Sequence, residues 1–155
     1  MEISTRKIDL PEEKSAIART VLEALPDWFG IEESREEYIR ESARMPFWVS
    51  FAQERPVGCI ALRQTGPHAA EIYVMGVRKE MHRQGVGRAL FAALRDYARA
   101  KGYRFWQVKT VALGVYPEYD ATRSFYEACG FCELEVFPTL WDEGNPCSVM
   151  VLSLC

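Results

Sequence analysis

No apolar run in these 155 residues approaches the roughly 20 that would span a bilayer. The opening stretch MEISTRKIDLPEEK lacks the charged-then-apolar pattern of a secretory signal, so a cytoplasmic protein with no membrane partner is expected. Charge of one sign is not in excess either. With 19 Lys plus Arg against 22 Asp plus Glu, the net charge of -3 gives no overall attraction to nucleic acid. Internal repeats, low-complexity tracts and Gly/Ser-rich linkers are also missing, and residues 1–155 are expected to fold as a single domain. The five cysteines are an odd number, expected as free thiols that mostly fill core space. Cys129-Gly-Phe-Cys132 has redox spacing but lies at a helix C-terminus, where the dipole disfavours a thiolate. A zinc site would need two further ligands, of which only Cys147 is well spaced, so no metal is expected.

What is present is an alternation of strand and helix signals with 48% hydrophobic residues, enough for one core. A short strand near Ile3–Ile8 precedes a helix over Pro11–Leu25 that Pro26 stops. Ser34-Arg35-Glu36-Glu37 has capping-box spacing and opens a second helix to about Arg44. Phe47–Phe51 and Val57–Leu62 read as an antiparallel pair, followed by a strand over Ala69–Arg78. Gly85–Ala100 is the strongest helix: Val86, Leu90, Ala93, Leu94 and Tyr97 share one side and Arg88, Arg95 and Arg99 the other. A strand at Phe105–Val111, a helix near Asp120–Cys129, and strands at Phe131–Phe137 and Val149–Leu154 complete a mixed α/β sheet.

The chemistry concentrates in Glu71-Ile-Tyr-Val-Met-Gly-Val-Arg-Lys-Glu-Met-His-Arg-Gln-Gly-Val-Gly-Arg-Ala-Leu90. A strand that feeds a glycine-containing loop and then a helix N-terminus presents unpaired N–H groups and a positive dipole end, a cradle for phosphate. A P-loop would end in Gly-Lys-Ser/Thr, and a dinucleotide fingerprint needs three glycines; only Gly85 and Gly87 stand here. Gly76 interrupts a β-prone stretch and marks a bulge or a close backbone approach.

His82-Arg-Gln-Gly-Val-Gly87 resembles the Arg/Gln-x-x-Gly-x-Gly/Ala signature of the GNAT superfamily of N-acetyltransferases. Ala121-Thr-Arg-Ser-Phe-Tyr-Glu-Ala-Cys-Gly-Phe131 resembles its second signature, a short helix ending in Phe/Leu-Tyr-x-x-x-Gly-Phe. The resemblance covers about Ala69–Phe131 and implies a GNAT fold: a mixed, mostly antiparallel sheet with a bulged, splayed strand, flanked by helices. It implies acetyl-CoA as cosubstrate, held by Met75 and Val77 on the strand and by Arg83, Gln84, Gly85, Val86, Gly87 and Arg88 in the cradle, with Tyr126 reaching the thioester sulfur. It also implies that Glu71 takes the amine proton through water and that Trp28 and Phe29, in the loop after the first helix, wall the acceptor cleft.

The expected reaction is direct transfer of acetyl to a primary amine of a small molecule or peptide. An alkylamine with pKa about 10.4 is only ~0.1% neutral near pH 7.4, a penalty of ~4 kcal/mol, so a route for its proton is required. The rival expectation is a catalytically silent acyl-CoA-binding sensor, which would need the cradle but neither Glu71 nor Tyr126. A homodimer is compatible with the sequence, which specifies neither the oligomeric state nor the acceptor.

Overall fold

A computed structural model describes residues 2–155. Strand β1 (Ile3–Ile8) leads into α1 (Pro11–Glu23), the short α2 (Pro26–Phe29) and α3 (Glu32–Ser42). Three strands follow, β2 (Phe47–Ala52), β3 (Arg55–Gln64) and β4 (Ala69–Val77), and then α4 (Val86–Ala100). The chain closes with β5 (Phe105–Val111), α5 (Pro117–Ala128), β6 (Cys132–Asp142) and β7 (Asn145–Ser153). All seven strands form one sheet in the order β1-β2-β3-β4-β5-β7-β6, antiparallel except for the parallel pair β4 and β5. This is the α/β class expected from the sequence. Among the described residues no helix is long and apolar enough to cross a membrane.

The pleat sorts side chains onto two helical layers. Phe47, Val49, Cys59 and Ala61 pack with Val21 and Leu22 of α1 and Ile39 of α3. Trp48, Ile60 and Leu62 pack on the other face with Leu90 and Leu94 of α4 and Tyr126 of α5. The apolar stripe read along α4 is therefore the stripe that the sheet buries.

The functional geometry begins with a bulge. Ala61 pairs with Val74 and Leu62 with Ile72, which leaves Tyr73 as an extra residue in β4. The extra residue reverses the alternation: Ile72 packs in the α4/α5 layer, whereas Val74, two positions on, packs in the α1/α3 layer. The sequence reading gives Gly76 as a bulge or a close approach: the bulge is at Tyr73, and Gly76 is a site of close approach. Gly76 sits in register opposite Cys59, and its lack of a side chain serves helix packing. A Cβ there would lie 2.9 Å from Leu25 Cδ1 and 3.2 Å from Val21 Cγ1. Gly76→Val should therefore destabilise the fold by about 1–3 kcal/mol, read as a lower urea midpoint at unchanged slope.

Beyond the bulge the sheet opens. β4 stays paired with β3 as far as Val77, but its pairing with β5 covers only Ala69–Glu71 against Phe105–Gln107. The two parallel strands then diverge, as expected for the splayed strand.

Several boundaries differ from the sequence expectation. Pro26 begins α2 instead of ending the first helix, since its missing N–H is not needed in a first turn. The capping box at Ser34 is not used: α3 opens at Glu32 with Ile31 at the N-cap, and Glu32 and Glu33 meet the positive helix end. At the other end of the chain, α5 starts at Pro117, ahead of Asp120, and β6 continues past Phe137 to Asp142 as an exposed edge strand.

Candidate active site

The loop between β4 and α4 is built from the end of a strand, one 3-10 turn (Lys79–Met81) and two left-handed residues. Arg83 has φ 65° and Gly85, the N-cap of α4, has φ 83°. The first backbone N–H of α4 to find a backbone carbonyl is that of Ala89, which donates to Gly85 O at 3.0 Å. Among the described residues, no N–H from Arg83 to Arg88 has a backbone partner, no side chain caps the helix, and its first turn holds no acidic residue. A Cβ at Gly85 would meet nothing within 4 Å, so the loop opens into free space. Gly87 is different: its Cβ would lie 3.1 Å from Phe125 Cε1, so that glycine seats α5 against the cradle. Six consecutive free N–H groups at a positive helix end suit a diphosphate in charge and in hydrogen-bonding sense.

The strand before the loop supplies the second wall. Arg78 N donates to Val57 O at 2.8 Å, which makes Gly58–Val77 a pair that does not exchange hydrogen bonds. The Ile60–Met75 pair, two residues along in the same register, is of the same kind. The backbone groups of Met75 and Val77 consequently point away from β3 into the gap where β5 has diverged. His82, in the signature position usually held by Arg or Gln, hydrogen-bonds through Nε2 to Val77 O at 2.7 Å and ties the loop to this strand end.

Tyr126 stands on the same face of the sheet as the cradle. It is 6% exposed, its ring packing between Phe125 and Phe131. Burial pushes its phenol well above the ordinary value, so the hydroxyl is a hydrogen-bond donor at all pH values of interest.

Glu71 faces the opposite layer, at the last residue pair before the strands part. The sequence leaves open a solvated glutamate at a strand start; the structure buries it to 3% exposure. Both carboxylate oxygens are engaged, one by Arg63 Nη2 at 2.5 Å and the other by Lys109 Nζ at 2.5 Å. Around this trio lies a cleft of about 100 Å³ lined by Tyr38, Tyr73 and Trp141. Its walls hold two cations and one anion, and aromatic faces. Burial raises the Tyr38 phenol and pushes that of Tyr73 up to about 12, so neither is a base near neutral pH. The space is smaller than whole small-molecule sites, which run to roughly 300–1,000 Å³. A wider depression of about 480 Å³ beside the antiparallel β1–β2 pair, lined by Ser4, Arg6 and Phe51, lies at the far edge of the sheet from the Glu71 cleft and carries no converging reactive groups.

The two residues expected to wall the acceptor cleft separate in role. Phe29 packs edge-on to Tyr38 (5.7 Å between centroids), and Tyr38 in turn on Tyr73 (5.2 Å), so it continues the aromatic wall of the Glu71 cleft. Trp28 instead fastens α2 to α5. Its indole N–H donates to Glu118 O at 3.2 Å and Thr122 Oγ1 at 3.1 Å, and Tyr119 Oη donates to Trp28 O at 2.8 Å. On its other side it meets His82 edge-on, and the Lys79 ammonium lies 5.5 Å from the ring centroid. Lys79 also pairs with Asp27, so α2 is tied to both walls of the gap.

Arg63, Lys109, Tyr38, Tyr73 and Trp141 carry no motif. They meet Glu71 because a bulge, a parallel register and an edge hairpin bring them there. The strict alternation of β5 was the one available sign, since it sets Lys109 on the side of Gln107, the partner of Glu71. The Cys129/Cys132 pair is a pair of free thiols, and burial raises that of Cys129, away from the thiolate that a redox motif uses.

Solved structures share this architecture. A GNAT-family protein from Desulfovibrio desulfuricans superposes with a TM-score of 0.84 at 21% identity, over 99% of this chain and 100% of that one. The ribosomal-protein-S18-alanine N-acetyltransferase from Escherichia coli gives 0.73 at 18% identity, over 97% and 94%. An aminoglycoside 6'-N-acetyltransferase complexed with coenzyme A gives 0.74 at 18% identity, over 100% and 98%. At these identities the likeness establishes the fold. A sequence search of curated proteins returns no significant match. The model of the acetyltransferase (GNAT) family, however, matches residues 15–131, from α1 through the cradle to the end of the second signature. The chain therefore belongs to the GNAT acetyltransferase family.

Proposed function

We propose that this protein transfers an acetyl group from acetyl-CoA to a primary amine of a small molecule or peptide, directly within a ternary complex. The observation that carries the reading is the run of free N–H groups from Arg83 to Arg88, which opens on the same side of the splayed sheet as Tyr126. Acetyl-CoA, when bound, supplies the activated acetyl group and a thiol leaving group. Toward it, the amides of residues 83–88 hold the diphosphate, while the outward backbone groups of Met75 and the N–H of Val77 hold the arm in the gap. The Tyr126 hydroxyl donates a hydrogen bond to the sulfur as charge develops there. The names of two structural neighbours specify N-acetyl transfer, which supports nitrogen as the acceptor atom.

On the acceptor side, the aromatic wall of Phe29, Tyr38 and Tyr73 meets the Glu71 trio. For Glu71 to take the amine proton, one of its two ion pairs must open and a water must enter. If it does so, Glu71→Gln lowers kcat/KM most below the acceptor's pKa and recovers as pH rises. Parallel pH profiles of similar height assign proton removal to bulk water. Occupation of both oxygens is also what favours the second reading, a silent acyl-CoA-binding module. One assay separates the readings: release of free CoA from acetyl-CoA, screened over simple amines, polyamines, aminoglycosides and peptides with free N-termini. Turnover with any amine supports the enzyme; tight CoA binding without turnover across the panel supports the module.

A further inference from the structure

Thr110 on β5 is 3% exposed, and its Oγ1 has no hydrogen-bond partner among the described residues. A buried hydroxyl in this state is uncommon and calls for a cause. Its position supplies one. Thr110 lies three residues past Gln107, the last residue of β5 paired with β4, and so on the border of the gap.

Its side can be deduced from the pleat. Trp106 and Val108, at the even positions before it, pack in the α4/α5 layer, so Thr110 faces that layer too. Across the sheet it pairs with Ser148 of β7, and directly paired residues share a face. Ser148 is bonded there by Arg123 of α5, at 3.2 Å from Nη1 to Oγ. Arg123 and Tyr126 are three residues apart on that helix and share a side of it. The unpartnered hydroxyl therefore sits on the cradle side of the sheet, under the flank of α5 that carries Tyr126. The cations of the acceptor cleft, Arg63 and Lys109, are on the other face and do not reach it.

We propose that the Thr110 hydroxyl is a binding group for the acyl-CoA arm and donates its hydrogen bond to a carbonyl oxygen of that arm in the gap. The proposal rests on the acyl-CoA reading above. Two carbonyls share this chemistry, the thioester carbonyl and the amide carbonyls of the pantetheine. A fold that leaves a hydroxyl unpaired until its ligand arrives should respond in opposite senses when that hydroxyl is removed.

The test compares wild type, T110V and T110S by thermal unfolding and by calorimetric titration with acetyl-CoA and with CoA. T110V, nearly isosteric, should raise the ligand-free Tm by about 2 °C and weaken acetyl-CoA binding by about tenfold. T110S, which keeps the hydroxyl, should bind within about threefold of wild type. An equal loss toward acetyl-CoA and CoA identifies an amide carbonyl, and a loss toward acetyl-CoA alone identifies the thioester. Unchanged affinities in T110V would overturn the proposal. So would a lowered Tm or failure to fold, since the hydroxyl would then be serving the fold. Wild-type protein that binds neither molecule would instead refute the acyl-CoA reading, and this proposal with it.

Discussion

Tyr126→Phe is expected to lower kcat by about 10- to 1000-fold while acetyl-CoA affinity stays within a few-fold of wild type. The substitution removes one hydroxyl and keeps the ring that packs between Phe125 and Phe131, so the fold and the floor of the donor site should persist. A free phenol near pKa 10 and a thiol near 8.5 make complete proton transfer to a thiolate uphill by ~2 kcal/mol. Burial moves the phenol further in that direction. In the proposed reaction the hydroxyl would therefore act by hydrogen-bonding the departing sulfur while staying protonated. Two measurements follow, once the chemical step has been shown to limit turnover. The kcat of Tyr126→Phe should be depressed by the same factor from pH 6 to pH 10, because no ionisation of Tyr126 falls in that window. A kcat equal to wild type would remove Tyr126 from the reaction.

Gly85→Val is expected to weaken CoA binding by at least about 100-fold in calorimetric titration, with only a modest fall in the unfolding midpoint. The separation of the two effects comes from geometry. The new side chain would meet nothing within 4 Å, so the core is not disturbed. At φ 83°, however, a β-branched residue is strained by about 1–3 kcal/mol and relaxes by rotating the backbone. That rotation turns aside the N–H groups at the start of α4. Gly87→Val should behave differently, losing stability as well, since its Cβ would press on Phe125 at 3.1 Å. His82→Ala removes one exposed hydrogen bond to Val77 O and should cost only a few-fold in affinity. Full CoA binding by a folded Gly85→Val protein would show that the cradle is not what holds the diphosphate.

The local code along the chain was sufficient for much of this. The amphipathic stripe of α4 has one way to be buried, and the loop before it has glycine where φ is positive, so the cradle and its helix follow from residues 82–100 taken alone. The signature around Tyr126 likewise contains its own helix and stop, with Gly130 at φ 107° just past the helix end. The strand period placed β5 to the residue, because Trp106, Val108 and Thr110 are buried with a period of two.

Tertiary structure decided whatever depends on which strand lies beside which, and how far. The bulge belongs to Tyr73 because β3 and β4 must keep both layers filled, a condition on two strands at once that no single strand's sequence contains. Gly76 read as a bulge or a close approach, and what approaches it is Val21 of α1 and Leu25 just after that helix, about fifty residues earlier. Trp28 read as a cleft wall and became the fastening of α2 onto α5, since its indole N–H finds partners ninety residues away. The isolated hydroxyl of Thr110 and the carboxylate of Glu71 held between Arg63 and Lys109 have the same origin. Periodicity reports which side of its own strand a residue takes, and the divergence of β4 from β5 determines what that side faces.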